Sequence, residues 1–260
     1  MDWLNSCAGF LVGLLVGFTG VGGGALMTPL LVLVFGIAPQ TAVGTDLLYA
    51  ALTKTAGGWV HGIRGAVDWE VLRRLWLGSM PMAVLTLVWL HKSPENNGLA
   101  KWIIPVLAVA LVLTGIAMLA RPVFHRIGEH LRTDFPRRFK AYQPALTVFA
   151  GALLGFFVTL TSVGAGALGA VMLVYLYPKR LKGQNVVGTD IAHAIPLTLL
   201  AGLGHAKLGH VDFTLLGELL VGSIPGITVG SLLSHRVSSK AVRNGIAIML
   251  LIIGVKMLLT

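Results

Sequence analysis

Hydrophobic residues gather into eight long runs, at about 4–35, 39–60, 71–90, 102–120, 144–177, 184–206, 213–233 and 241–259. The polar gaps between them hold turn and helix-stop residues, among them Gly36, Pro39, the stretch from His91 to Gly98 and the stretch from Pro178 to Gly183. A membrane-spanning helix needs about 20 apolar residues, so six of the runs are one span each. The first and fifth are too long, at 32 and 34 residues. Both carry small residues at their centre: Thr19-Gly20-Val21-Gly22-Gly23-Gly24 in the first, Thr161-Ser162-Val163-Gly164-Ala165-Gly166 in the fifth. Glycine is a poor helix former, and non-helical backbone at membrane depth is tolerated only where protein or a cavity covers it. The pattern predicts two helices broken at matching places.

The halves of the chain repeat. Gly9, Gly13, Thr19, Val21, Gly22 and Gly24 recur 142 residues on as Gly151, Gly155, Thr161, Val163, Gly164 and Gly166. After a two-residue insertion the offset is 144. Val43-Gly44-Thr45-Asp46 then matches Val187-Gly188-Thr189-Asp190, His61 matches His205, and Val67-Asp68 matches Val211-Asp212. Gly78-Ser79-Met80-Pro81 matches Gly222-Ser223-Ile224-Pro225. Shared apolar composition would align Leu and Val, not His, Asp and Pro. Residues 1–120 and 143–260 therefore read as two transmembrane repeats, joined by a basic linker over 121–142.

Two topologies compete for the long runs. If each is one tilted helix, the chain has eight spans and both halves point the same way. If each is a hairpin that turns at its glycines, the halves are inverted. Lys and Arg mark the cytoplasmic side of a membrane protein. With Lys54 inside a span in both pictures, the eight-span topology divides the other cations 11 to 8, the hairpin topology 15 to 4. The second is a positive-inside pattern. It predicts an all-α polytopic protein of two inverted repeats, each a Gly-broken hairpin plus three spanning helices. The linker lies in the cytoplasm and both termini outside. The hairpin arms are expected at about 14 residues, roughly 21 Å each.

Composition agrees. The chain of 260 residues is 55% hydrophobic and 12% charged, against about 25% charged in a soluble domain. Its net charge of +10 sits in the polar gaps, which reads as a topology signal rather than a nucleic-acid surface. The single cysteine, Cys7, excludes an internal disulfide. No cleavable signal peptide, nucleotide-binding loop, metal-ligand spacing or cofactor motif is visible.

These residues resemble the sulfite exporter TauE/SafE family, the sulfonate-uptake permease group, along the whole chain. The resemblance rests on Gly20-Val21-Gly22-Gly23-Gly24 followed by Pro29, on Ala42-Val43-Gly44-Thr45, and on the weaker copies in the second half. An Asp follows Gly-Thr in both halves, where a small polar residue is more usual. The resemblance implies a bacterial inner-membrane permease for sulfur-containing or related organic anions.

The residues themselves suggest where an anion would bind. Broken helices in transporter repeats place the substrate near the bilayer midplane, and a helix N-terminus offers unpaired N–H groups and a positive dipole end. The half-helices returning after Gly20, Gly22, Gly23 and Gly24, and after Gly164 and Gly166, would supply such ends. Thr19, Thr161 and Ser162 would add hydroxyls, and Thr45 and Thr189 open the next helix in each half. Lys54 is a candidate counter-charge, or else it snorkels to an interface. Asp46 and Asp190 are candidate helix caps or, with His193, proton-coupling groups. His193 is equally readable as a packed, hydrogen-bonded residue. Gly9, Gly13, Gly151 and Gly155 read as helix-packing positions.

The expected function is a secondary permease for small anions such as sulfite or organosulfonates. It would work by alternating access, one repeat rocking against the other. Its partners are the anion and the lipid bilayer, with a homodimer admitted. A passive anion channel and an intramembrane enzyme on lipid-type substrates are the rival classes.

Overall fold

The computed structural model describes residues 3–19, 24–60, 66–92, 99–181, 183–233 and 239–259. In chain order the helices are α1 Trp3–Thr19, α2 Gly24–Leu33, α3 Pro39–Val60, α4 Trp69–Lys92, α5 Leu99–Leu119 and α6 Arg121–Asp134. They continue as α7 Pro136–Thr161, α8 Ala167–Leu176, α9 Gln184–Lys207, α10 Phe213–Leu233 and α11 Ser239–Leu259. No strand occurs among the described residues. Six of these helices (α4, α5 from Trp102, α7, α9, α10 and α11) are long and apolar enough to cross a membrane. α3 is comparable in length, at 22 residues, but carries Asp46 and Lys54 along it.

The fifth run is broken, α7 from α8, and in the first run α1 ends at Thr19 and α2 opens at Gly24, with 20–23 outside the described residues. The arms are unequal, 17 and 10 residues in the first half, 26 and 10 in the second. Equal arms of about 14 residues are therefore corrected. α7 gains its length by running back through Pro136–Gln143 into the basic segment, with Pro near its start, where the missing N–H costs nothing. A 10-residue return spans about 15 Å, half the hydrocarbon core, so α2 and α8 fall short of crossing.

The segment read as a linker is also helical. In α6, Phe124 and Tyr175 meet edge to face at 6.2 Å, and a Cβ on Gly128 would overlap the Tyr175 carbonyl. This helix lies against α8.

Packing repeats with the sequence, across the halves. A Cβ on Gly9, Gly13 or Gly17 of α1 would overlap the backbone of Leu219, Ser223 or Ile227 of α10. A Cβ on Gly151 or Gly155 of α7 would overlap Leu75 or Ser79 of α4. Leu219 and Ser223 are the repeat matches of Leu75 and Ser79. These glycines let helices approach at backbone distance, the packing role expected of them. The two pairs run parallel, whereas matched helices face each other antiparallel. Gly202 of α9 lies against Leu48 of α3, and Gly44 against His205. Gly115 of α5 lies against Ala247 and Leu251 of α11, and Gly254 against Ala108.

The connections sort to two ends of the bundle. At one end, Arg180 pairs with Asp68 at 2.5 Å and Glu70 at 2.7 Å, and Lys179 Nζ donates to Thr133 Oγ1 at 3.1 Å. The starts of α4, α6 and α9 gather there. At the other end, Thr45 near the start of α3 meets the segment before α10, and Asn5 of α1 donates to Glu218 of α10 at 2.7 Å.

Candidate functional site

The buried charged residues Asp46 and Lys54 lie on α3 and Asp190 on α9, and Thr28 of α2 and Thr161 and Ser162 at the end of α7 are buried with them. α3 begins at Pro39 and α9 at Gln184, so Asp46 and Asp190 stand nearly two turns inside their own helices. They do not cap them. Each instead lies over the start of the short return helix of its own half. Asp46 Oδ2 accepts the Thr28 backbone N–H at 3.1 Å and also the Thr28 hydroxyl. Its Oδ1 is buried without a partner. Asp190 Oδ1 lies so close to Gly169 that any Cβ there would overlap it. Ala170 occupies the place that matches Thr28, so Asp190 has no such hydroxyl.

Lys54 is the one buried Lys or Arg among the described residues, 3% exposed. Its Nζ donates to the Ala165 carbonyl at 2.7 Å, inside the break between α7 and α8. Snorkelling is thereby excluded, because the ammonium points to the bundle centre. No ion pair within 4 Å joins Lys54 to an acid among the described residues, yet Asp190 and Asp46 are both near enough to act on its charge. The spacing of eight residues between Asp46 and Lys54 had already ruled out a direct pair.

The second break is built by backbone geometry. Ser162 ends α7 in the left-handed region at φ 60°, and Gly164 and Gly166 stand at φ 109° and 123°. Glycine is the residue that holds the last two without strain. Thr161 Oγ1 donates to the Phe157 carbonyl at 2.6 Å and accepts the Val163 N–H at 3.1 Å. Ser162 Oγ is buried beside the Asp46 carboxylate, and neither Ser162 Oγ nor Asp46 Oδ1 has a partner of hydrogen-bond geometry. The start of α8 at Gly166 has no side-chain cap.

In the first half, Thr19 closes α1 and Gly24 opens α2; Gly20, Gly22 and Gly23 lie outside the described residues, as does His61. Thr45 and Thr189 are spent on scaffold. Thr45 Oγ1 accepts the Asp212 N–H at 3.0 Å and Thr189 Oγ1 accepts the Asp68 N–H at 3.0 Å, the same bond made twice by matched residues. His193 is packed, with Nε2 2.9 Å from Ser79 Oγ. Tyr49 stands in its matching place, beside Ser223, the match of Ser79, and 3.5 Å from the Gly9 carbonyl. His205, 1% exposed, has Nε2 2.9 Å from the Thr159 carbonyl.

Sequence reasoning missed Thr28 and Ser79 and the carbonyl of Ala165. Thr28 carried a signal, a lone hydroxyl beside Pro29 in an otherwise apolar return helix. A carbonyl carries none. No cluster of three or more His, Cys, Asp or Glu that could hold a metal occurs among the described residues.

Among the described residues, an all-helical bundle with six candidate spans and buried charges in its interior is the architecture of a polytopic membrane protein. The family model for the sulfite exporter TauE/SafE matches residues 6–257, and the chain belongs to that family. It is 40% identical over 255 residues to the "Probable membrane transporter protein YjnA" of Bacillus subtilis (strain 168), covering 96% of this chain and 97% of the relative. It is 24% identical over 257 residues to YdhB of the same organism, likewise a "Probable membrane transporter protein", covering 96% and 97%. A "Probable membrane transporter protein" of Xylella fastidiosa (strain Temecula1 / ATCC 700964) is 27% identical over 235 residues, covering 89% and 84%. No solved structure matches the chain.

Proposed function

We propose that this transporter is a secondary permease for small oxyanions, with sulfite and organosulfonates the first candidates, and that it moves them by alternating access at the two helix breaks. The observation that carries this reading is the Lys54 ammonium buried against the Ala165 carbonyl. A charge placed there costs several kcal/mol of desolvation, a cost that structure alone gives no reason to bear.

The surroundings of Lys54 also suggest the coupling. Asp46 and Asp190 lie over the return-helix starts where an anion would bind. Two carboxylates and one ammonium sum to one negative charge. Protonation of one carboxylate brings that sum to zero, which lifts the net repulsion and leaves the Lys54 ammonium to attract an arriving anion. Asp190, with no hydroxyl partner, is the carboxylate assigned to this, so anion and proton travel together.

Inverted repeats are supported by the antiparallel facing of matched helices, α3 against α9 and α5 against α11. The moving bodies are then the glycine-locked pairs, α1 with α10 and α7 with α4, each of which crosses the sequence halves. The positive-inside rule puts the end bearing α6 in the cytoplasm of a bacterial inner membrane and both termini outside.

Uptake into proteoliposomes tests the reading. Saturable flux of radiolabelled sulfite or taurine, accelerated by counter-substrate and by an inward proton gradient, is expected. Flux that does not saturate would make the protein a channel. No flux of any sulfur oxyanion, sulfonate or carboxylate would remove the anion reading altogether.

A further inference from the structure

One cavity of about 310 Å³ lies away from the central polar residues, at the end of the bundle that carries α6. Its wall holds Arg121, His125 and Arg243, with Val174, Leu181 and Val186 as the apolar part. Three helices begin around it: α6 at Arg121, α9 at Gln184 and α11 at Ser239. None has an acidic residue in its first turn, and neither α6 nor α9 has a side-chain cap. Helix starts without acids present uncompensated positive dipole ends.

The side chains add charge of the same sign. Neither Arg121 nor Arg243 pairs with an acid within 4 Å among the described residues. Burial first, and the nearby Arg243 guanidinium second, push Arg121 below the usual guanidinium range, with Asp190, one turn beyond Val186 on α9, acting the other way. Arg243 Nε and His125 Nδ1 are closed off from solvent without a hydrogen-bond partner. Arginines that served only as topology signals would gain most by lying in water. Here two of them face one cavity and leave a donor unmet, which is unfavourable for a buried group. Arg243 matches Leu99 in the first half, so the repeat does not supply this cation twice.

We propose that this cavity is an oxyanion-binding site, in which Arg121 and Arg243 hold the charged head and Val174, Leu181 and Val186 cover an attached apolar body. Guanidinium forks suit sulfonate and phosphate oxygens bidentately. The volume lies at the lower end of small-molecule pockets, so a head group with a short chain fills it. The site stands apart from the central residues and does not depend on transport. A free organic anion and an anionic lipid head group share this chemistry, and the two arms of the test separate them.

In the first arm, the purified full chain in uncharged detergent is titrated calorimetrically with butane-1-sulfonate. Binding weakened about tenfold or more in Arg121→Gln and in Arg243→Gln, and regained in part by Arg243→Lys, is the expected result. Arg73→Gln, on α4, should leave the affinity unchanged. In the second arm, native mass spectrometry counts phosphatidylglycerol retained by wild type and by Arg243→Gln. Loss of bound lipid in the variant, with no sulfonate binding in either protein, assigns the site to a head group. Sulfonate affinity and retained lipid both unaffected by Arg121→Gln and Arg243→Gln would overturn the proposal. Arg243→Lys folding normally while Arg243→Gln does not would leave the Lys and Arg121→Gln titrations to decide.

Discussion

The two return helices start alike and are finished differently. Over α2, Asp46 is held by the N–H and hydroxyl of Thr28. Over α8, Asp190 lies against Gly169 without a hydroxyl, and Lys54 has crossed from α3 to bond the turn itself. The residue matching Lys54 is Thr198, whose hydroxyl turns back to the Ala194 carbonyl of its own helix. The scaffold diverges less. Thr45 and Thr189 make one bond twice, and the glycine contacts of α1 and α7 fall on matched residues of α10 and α4. A duplicated fold has kept its framework symmetric and made its polar centre one-sided. Under the proposed mechanism the two halves exchange roles, but a charge that binds and releases an anion is needed only once.

The strongest way to break this comparison is through the framework. Gly13→Leu and Gly155→Leu each push a side chain into opposing backbone, and both are expected to abolish folded protein, measured as the monodisperse fraction on size-exclusion chromatography. Collapse of one variant alone would show that the halves do not carry equal structural weight. Next comes the one-sided centre. Lys54→Gln should lower transport about a hundredfold, while Thr198→Val in the matching place changes it less than about threefold, with both proteins well folded.

The two aspartates sharpen the difference further. Asp46→Asn gives up charged hydrogen bonds to Thr28 and should cost about 1.5–3 kcal/mol of stability, read as a lowered melting temperature in detergent. Asp190→Asn should cost less and act on coupling instead. Counter-exchange of anion persists while accumulation driven by a proton gradient disappears. The sign follows from the proton site: wild-type uptake rises as external pH falls, and Asp190→Asn uptake does not. The smallest effect belongs to the repeated bond. Thr45→Val and Thr189→Val should each lose about 1 kcal/mol, and by equal amounts.

Much of this was legible beforehand. The break at 162–166 followed from glycine inside an apolar run too long for one span, and the repeat followed from His, Asp and Pro in register. The same logic failed at α6. Arg121, Arg126 and Arg132 gave the segment the look of a loop, although Val123, Phe124, Ile127 and Leu131 recur at helical spacing along it. Charge outweighed period in that reading, and the period was right. Asp46 and Asp190 read as caps because each follows Gly-Thr, whereas their helices open at Pro39 and Gln184, the first residues of the two apolar runs. The target of Lys54 was beyond reach for another reason. It is a backbone carbonyl on a different helix, with Ala as its only label. The scaffold bonds of Thr45 and Thr189 were out of reach likewise, because their partners are main-chain N–H groups brought in from the other half.

The contact of α1 with α10 sets a condition on how the protein is made. Gly9 packs on Leu219, which a ribosome reaches only 210 residues later. At 5–20 residues per second that is a wait of roughly 10–40 s. Throughout it α1 sits in the bilayer with its glycine face turned to lipid, and α7 meets α4 first because α4 already exists. The order of assembly is therefore fixed, with the second crossed pair formed before the first. The opening helix of the chain is among the last to find its place.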